Sequence, residues 1–187
     1  MATRSHFQRY LSFSAVTDAA IIIPVVAIII MATVITAASV LENIRFARAT
    51  DQILSLVGTA RDYTVHEKNF GLEVNEDLIA SLIRNGQLPQ IPIINPWKEE
   101  VKARITSPSV MRLEITVPVH ECRRLAFFFL KDAVALRLKL MEAREGNSGV
   151  LRRFYDSSLP VLADPKPVEA GCGETPQATL LLSFNLR

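Results

Sequence analysis

The chain has 187 residues, 49% of them apolar, and a formal net charge of +2. Residues 1–12 contain Arg4 and Arg9 and no acid, so everything after them is neutral overall. That balance argues against a specific nucleic-acid partner, which requires many cations to displace phosphate counterions.

Residues 1–13 are basic and polar, like the leading region of an export signal. Residues 19–41, AAIIIPVVAIIIMATVITAASVL, follow without a single charge. As a helix at ~1.5 Å per residue they reach roughly 35 Å, enough to cross the ~30 Å hydrocarbon layer of a membrane. The run is longer than the apolar core of an ordinary cleaved signal and no clean small-x-small site follows it; residues 37–39 could pass as one, which keeps a conventional cleaved signal as an alternative. Arg4 and Arg9 precede the run and Arg45 and Arg48 follow it, so charge encodes orientation weakly. A short cytoplasmic leader and an exported body is the preferred topology, because the cysteines suit an oxidising compartment.

Pro24 removes one helical hydrogen bond and predicts a kink. Past the apolar run, Leu41, Ile44, Ala47, Leu54, Val57 and Ala60 form a helical stripe that predicts packing on a soluble core. One helix over residues 14–62 is therefore expected, with 63–187 as a globular head of about 125 residues, enough for one core. Residues 66–73 read as a loop. A second helix should start at an Asn75 cap, carry Leu78, Ile79, Leu82 and Ile83, and stop at Gly86 before Pro89.

Val101, Ala103 and Ile105, then Met111, Leu113, Ile115 and Val117, alternate with polar residues on either side of Ser-Pro-Ser, which predicts a hairpin with one buried face. From Pro118 to about Glu142 the pattern predicts a single long helix. Residues 150–155 suggest a short edge strand, 157–175 a Pro- and Gly-rich loop, and 178–186 a central strand. The expected class is α+β.

Cys122 and Cys172 are fifty positions apart and neither has a CxxC neighbour, so zinc-ribbon and thioredoxin readings lack support. A long-loop disulfide is the simplest use; two unrelated thiols are the alternative. His120 lies two residues from Cys122, and His66 and Cys172 are the other candidate ligands, but the spacing fits no zinc pattern. No GxSxG, HExxH, GxGxxG or P-loop run occurs. No catalytic residue, metal or cofactor is expected. Arg123, Arg124, Arg137, Lys139, Arg144, Arg152 and Arg153 read first as solvated positions, with DNA, lipid headgroups or an acidic neighbour as alternatives. Asp18, at the head of the apolar run, is either a polar flank or a functional carboxylate, because burying it requires a cationic partner.

The order of features resembles a type IVb pilin of the conjugative or thin-pilus kind. The matching pieces are the basic leader and the apolar helix that continues into a domain, then Asn85-Gly-Gln-Leu-Pro89 and Asn95-Pro-Trp97. They continue with Ile115-Thr-Val-Pro118 and Cys122, and end on Gly171-Cys172 before the apolar run from Ala178. The resemblance implies a ladle-shaped subunit with the head packed on the second half of the long helix. It also implies a Cys122–Cys172 disulfide, leader removal by a prepilin peptidase, and extraction from the inner membrane by pilus assembly machinery. The finished filament of this and other pilins would be extracellular.

In the family a glutamate at the fifth mature residue pairs with a neighbour's N-terminal amine. Here a cut after Ser12 makes Phe13 first and Thr17 fifth; a cut after Phe13 makes Ser14 first and Asp18 fifth. No glycine precedes either bond, and Lys98-Glu99-Glu100 stands where family members often place glycines. A pseudopilin-like minor subunit of a type II secretion system, or a signal-anchored periplasmic assembly or binding factor, are the alternative functions.

Overall fold

The computed structural model describes residues 4–66 (their side chains from 22 to 65), 74–145, 149–158 and 171–186. By contacts the chain forms two compact units, Met1–Ile44 and Arg45–Arg187. The described residues of the first unit are helical. They form the leading part of α1, Arg4–His66, whose helical assignment passes through Pro24 and ends three or four residues later than the pattern suggested.

The second unit is α+β. It contains the rest of α1, then α2 (Leu78–Arg84), β1 (Lys102–Ser107), β2 (Val110–Pro118), α3 (Val119–Lys131), β3 (Leu138–Glu145), β4 (Leu151–Asp156) and β5 (Gln177–Asn185). The strands make one antiparallel sheet in the order β1-β2-β5-β3-β4. β2 and β3 therefore do not touch; β5 is inserted between them and pairs with both. The predicted hairpin is β1–β2, and the predicted central strand is β5, buried from Ala178 to Phe184.

Register explains which face holds the core. Met111, Leu113, Ile115 and Val117 stand opposite Phe184, Leu182, Leu180 and Ala178 on β5. Leu138, Met141 and Ala143 continue that face on the other side of β5. These residues join one apolar cluster with Ile53, Leu56, Val57 and Ala60 of α1 and with Leu125, Ala126 and Phe129 of α3. The expected α1 stripe holds in its second half, where Val57 and Ala60 are buried and Leu54 packs on the core, but Leu41, Ile44 and Ala47 are exposed and Ala49, Thr50 and Ile53 are buried. The buried set 49, 53, 56/57, 60 keeps the helical period.

Two further expectations are corrected. Asp77, rather than Asn75, caps α2: its carboxylate accepts from the Ile79 and Ala80 amides at 3.0 and 3.3 Å. Asn75 instead sits at φ 75° and donates its amide to the Ile105 carbonyl, tying the approach to β1. The long helix through Glu142 is two elements. α3 stops at Lys131, a turn follows, and β3 begins at Leu138. Gly86 does end α2, at φ +72°, with its amide bonded to the Ile83 carbonyl.

Candidate assembly surface and disulfide clamp

The uncharged run lies on α1, and its side chains from Ile22 onward are uncovered. Every large apolar residue from Ile22 to Leu41 is between 46% (Val26) and 70% (Met31) exposed. They surround the helix rather than forming a stripe, since Ile28, Ile29 and Ile30 are consecutive. A helix apolar on all sides belongs in a lipid bilayer or among other helices. Covering the twelve side chains is worth on the order of tens of kcal/mol at about 1.5–3 kcal/mol each.

The polar atoms in this run are already satisfied. Thr33 donates its hydroxyl to the Ile30 carbonyl at 2.8 Å, Thr36 to Ala32 at 2.7 Å, and Ser39 to Thr36 at 2.9 Å. Each hydroxyl folds back on its own helix and needs no water, the condition a segment must meet to enter an apolar medium. Among the described residues, this is the one helix long and apolar enough to cross a membrane. Ser12, Phe13, Ser14 and Asp18 lie on the α1 backbone, and their side chains fall outside the described residues.

Cys122 and Cys172 form a disulfide, with Cα atoms 6.1 Å apart and both residues fully buried. It joins α3 to the residues leading into β5. Neither sulfur remains as a thiolate for His120 or His66 to complement. Past the disulfide, Gly173 takes φ +79° and the Glu145 side chain lies against its Cα face. The Glu145 carboxylate accepts the Glu174 and Thr175 amides at 2.9 and 3.0 Å. Those two bonds hold its carboxyl below the usual range, with Arg152 adding a smaller attraction.

The Asn-Pro-Trp motif is a buried anchor. Asn95 donates from Nδ2 to the Thr116 carbonyl of β2 at 2.7 Å. Its Oδ1 accepts the amides of Trp97 and Glu99 at 2.9 and 3.0 Å. The turn so closed places Lys98 at φ 69°, a conformation that glycine adopts without cost.

Several charged residues make specific pairings within the head. Glu121 is completely buried at the start of α3 and pairs with Arg124 at 3.1 Å. The Arg124 guanidinium lies 4.4 Å above the Phe46 ring, so one cation ties α1 to α3. Glu142 is 4% exposed and pairs with Arg112 from β2 and Arg153 from β4, at 3.6 and 3.4 Å. Arg61 donates to the carbonyls of Leu136 and Asn185, and Thr64 to that of Leu186. The basic set around Arg123–Arg153 is thus dispersed over α3, the turn after it, β3 and β4 rather than gathered on one helix. The pairing of Glu142 depends on its place on β3, a strand the sequence pattern hid.

No protein-family model matches the chain, and no curated protein or solved structure is significantly similar to it.

Proposed function

We propose that this protein is a structural subunit of a type IV pilus or pilus-like filament, assembling through the apolar part of α1. The observation that carries the reading is the uncovered, uncharged helix whose hydroxyls are internally bonded, continuous in chain with a disulfide-pinned α+β head. In the membrane, lipid covers that helix; in a filament, the same helices of other subunits cover it. The same apolar surface therefore serves storage and polymerisation, and the activity is packing rather than catalysis.

Asp18 is the carboxylate placed to meet a neighbour's terminal amine if the leader is cut after Phe13. A buried carboxylate demands such a partner, and the pairing would set subunit register. The partners under this reading are other pilins, a prepilin peptidase, the assembly machinery and the inner membrane. The head faces the periplasm before assembly and the exterior after it.

The deciding experiment is intact-mass analysis and N-terminal sequencing of the native protein. A start at residue 13 or 14 supports the filament subunit. A start at residue 1 in a monomer indicates a signal-anchored factor, and a start near residue 40 a released soluble protein; either result overturns the proposal.

A further inference from the structure

A groove of about 470 Å³ lies between α2, residues 90–93 and β1. Ile79, Ile83, Ile91 and Ile93 line it, with Asp77, Glu100 and Lys102 also at its walls, so its charge is net acidic. Ile91 is 65% exposed, a large apolar side chain that this head leaves uncovered. The groove backbone is fixed, because Val101 donates its amide to the Ile93 carbonyl and Asn95 pins the following turn to β2.

The same head carries a surface of the opposite kind. The turn between α3 and β3 presents Val134, which is 81% exposed, with Lys131, Arg137 and Lys139 exposed around it and Asp132 the one acid in the turn. This turn is also rigid. Leu136 donates to the Asp132 carbonyl at 2.9 Å, Arg137 to Val134 at 3.1 Å and Leu138 to Ala133 at 2.8 Å. One surface is an acidic apolar groove and the other a basic apolar knob.

We infer that the groove of one copy receives the Val134 turn of another copy of this chain. The occupant is chosen by charge: the Val134 turn, with Lys131, Arg137 and Lys139 against Asp132, is net basic, the groove, with Asp77 and Glu100 against Lys102, is net acidic, and preformed backbones on both sides lower the ordering cost. Because the two surfaces differ, each copy keeps a free groove after giving its knob, and a free knob after filling its groove. Such a head-to-tail contact generates a ring or an open helical polymer rather than a closed pair. The inference rests on the filament reading and supplies it with a specific head-to-head contact.

The test uses the full-length chain in membranes, with two differently tagged copies co-expressed. One carries Ile91→Cys and the other Val134→Cys. The native cysteines are bonded to each other, so each copy offers one reactive thiol to a short bis-maleimide. Both positions are exposed, so both variants should fold. A mixed dimer much more abundant than either like-with-like dimer is expected. Lys131→Glu on the knob copy should lower its yield several-fold, and Glu100→Lys on the groove copy should restore it.

Copies bearing Ile28→Cys serve as the reference for helix contact. Crosslinking through Ile28 without any mixed Ile91–Val134 dimer overturns this inference and leaves the filament reading standing. No crosslink at either place overturns both. A mixed dimer indifferent to the charge changes overturns the pairing by charge that selects this occupant.

Discussion

Lys98 holds a left-handed backbone because Asn95 closes the turn on both sides of it. A side chain in that conformation costs roughly 1 kcal/mol, part of which glycine returns as unfolded-state entropy. Lys98→Gly should therefore stabilise the head by up to about 1 kcal/mol, and Lys98→Val should destabilise it; urea denaturation followed by Trp97 fluorescence measures both. Glu145 offers a second residue-level check. Its carboxyl is held below an ordinary value of 4.5 by the Glu174 and Thr175 amides. A depressed folded-state pKa contributes stability that is complete above the unfolded value and lost as pH falls through the folded one. The melting temperature should accordingly drop below about pH 4.5, and Glu145→Gln should flatten that drop. An identical pH profile in the variant would remove Glu145 from the account. Asn95 shows why residue roles hide in sequence: Asn-Pro reads as a turn, but nothing local announces the bond from Asn95 to Thr116.

At the scale of elements, the disulfide ties α3 to the approach of β5 across a separation of fifty residues. Closing such a loop contributes about 4 kcal/mol in the chain-entropy picture. Cys122→Ser and Cys172→Ser should each lower stability by an amount of that order and reduce the level of protein in oxidising conditions, read by denaturation and immunoblot. Wild-type abundance of both variants would show the sheet to be self-sufficient. The hairpin β1–β2 and the strand β5 were legible because strict alternation and an unbroken apolar run each have one reading there. β3 was not. Leu138, Leu140 and Met141 also suit a helical repeat that begins in α3, and only the turn at residues 132–137, with Arg137 at φ 52°, breaks it. The decision is tertiary, since β5 offers β3 an open edge that no local window contains. The pairings of Glu121 and Glu142 were hidden for a related reason: their partners Arg124, Arg112 and Arg153 come together only once the sheet and α3 are in place.

For the whole molecule, the apolar run and the head make separable demands. Ile30→Arg puts a cation near the middle of residues 19–41, a change worth about 3 kcal/mol against membrane insertion. It should abolish crosslinks between copies while leaving the head's melting temperature unchanged. A variant that still assembles normally would show that the contact between copies lies elsewhere. Ser12, Phe13 and Ser14 were nominated by resemblance alone, Asp18 also by its charge at the head of the apolar run. Under the filament proposal their chemistry would depend on a peptidase and on neighbouring subunits, neither of which a single chain contains.

The position of β5 has a consequence for biosynthesis. Among the described strands it comes after the other four, yet it lies between two hairpins, β1–β2 and β3–β4, and joins them into one sheet. A ribosome that stalls before Gln177 releases two ribbons with raw inner edges, fit for proteolysis or mispairing. Both hairpins therefore wait on residues 177–185, which act as a keystone between them.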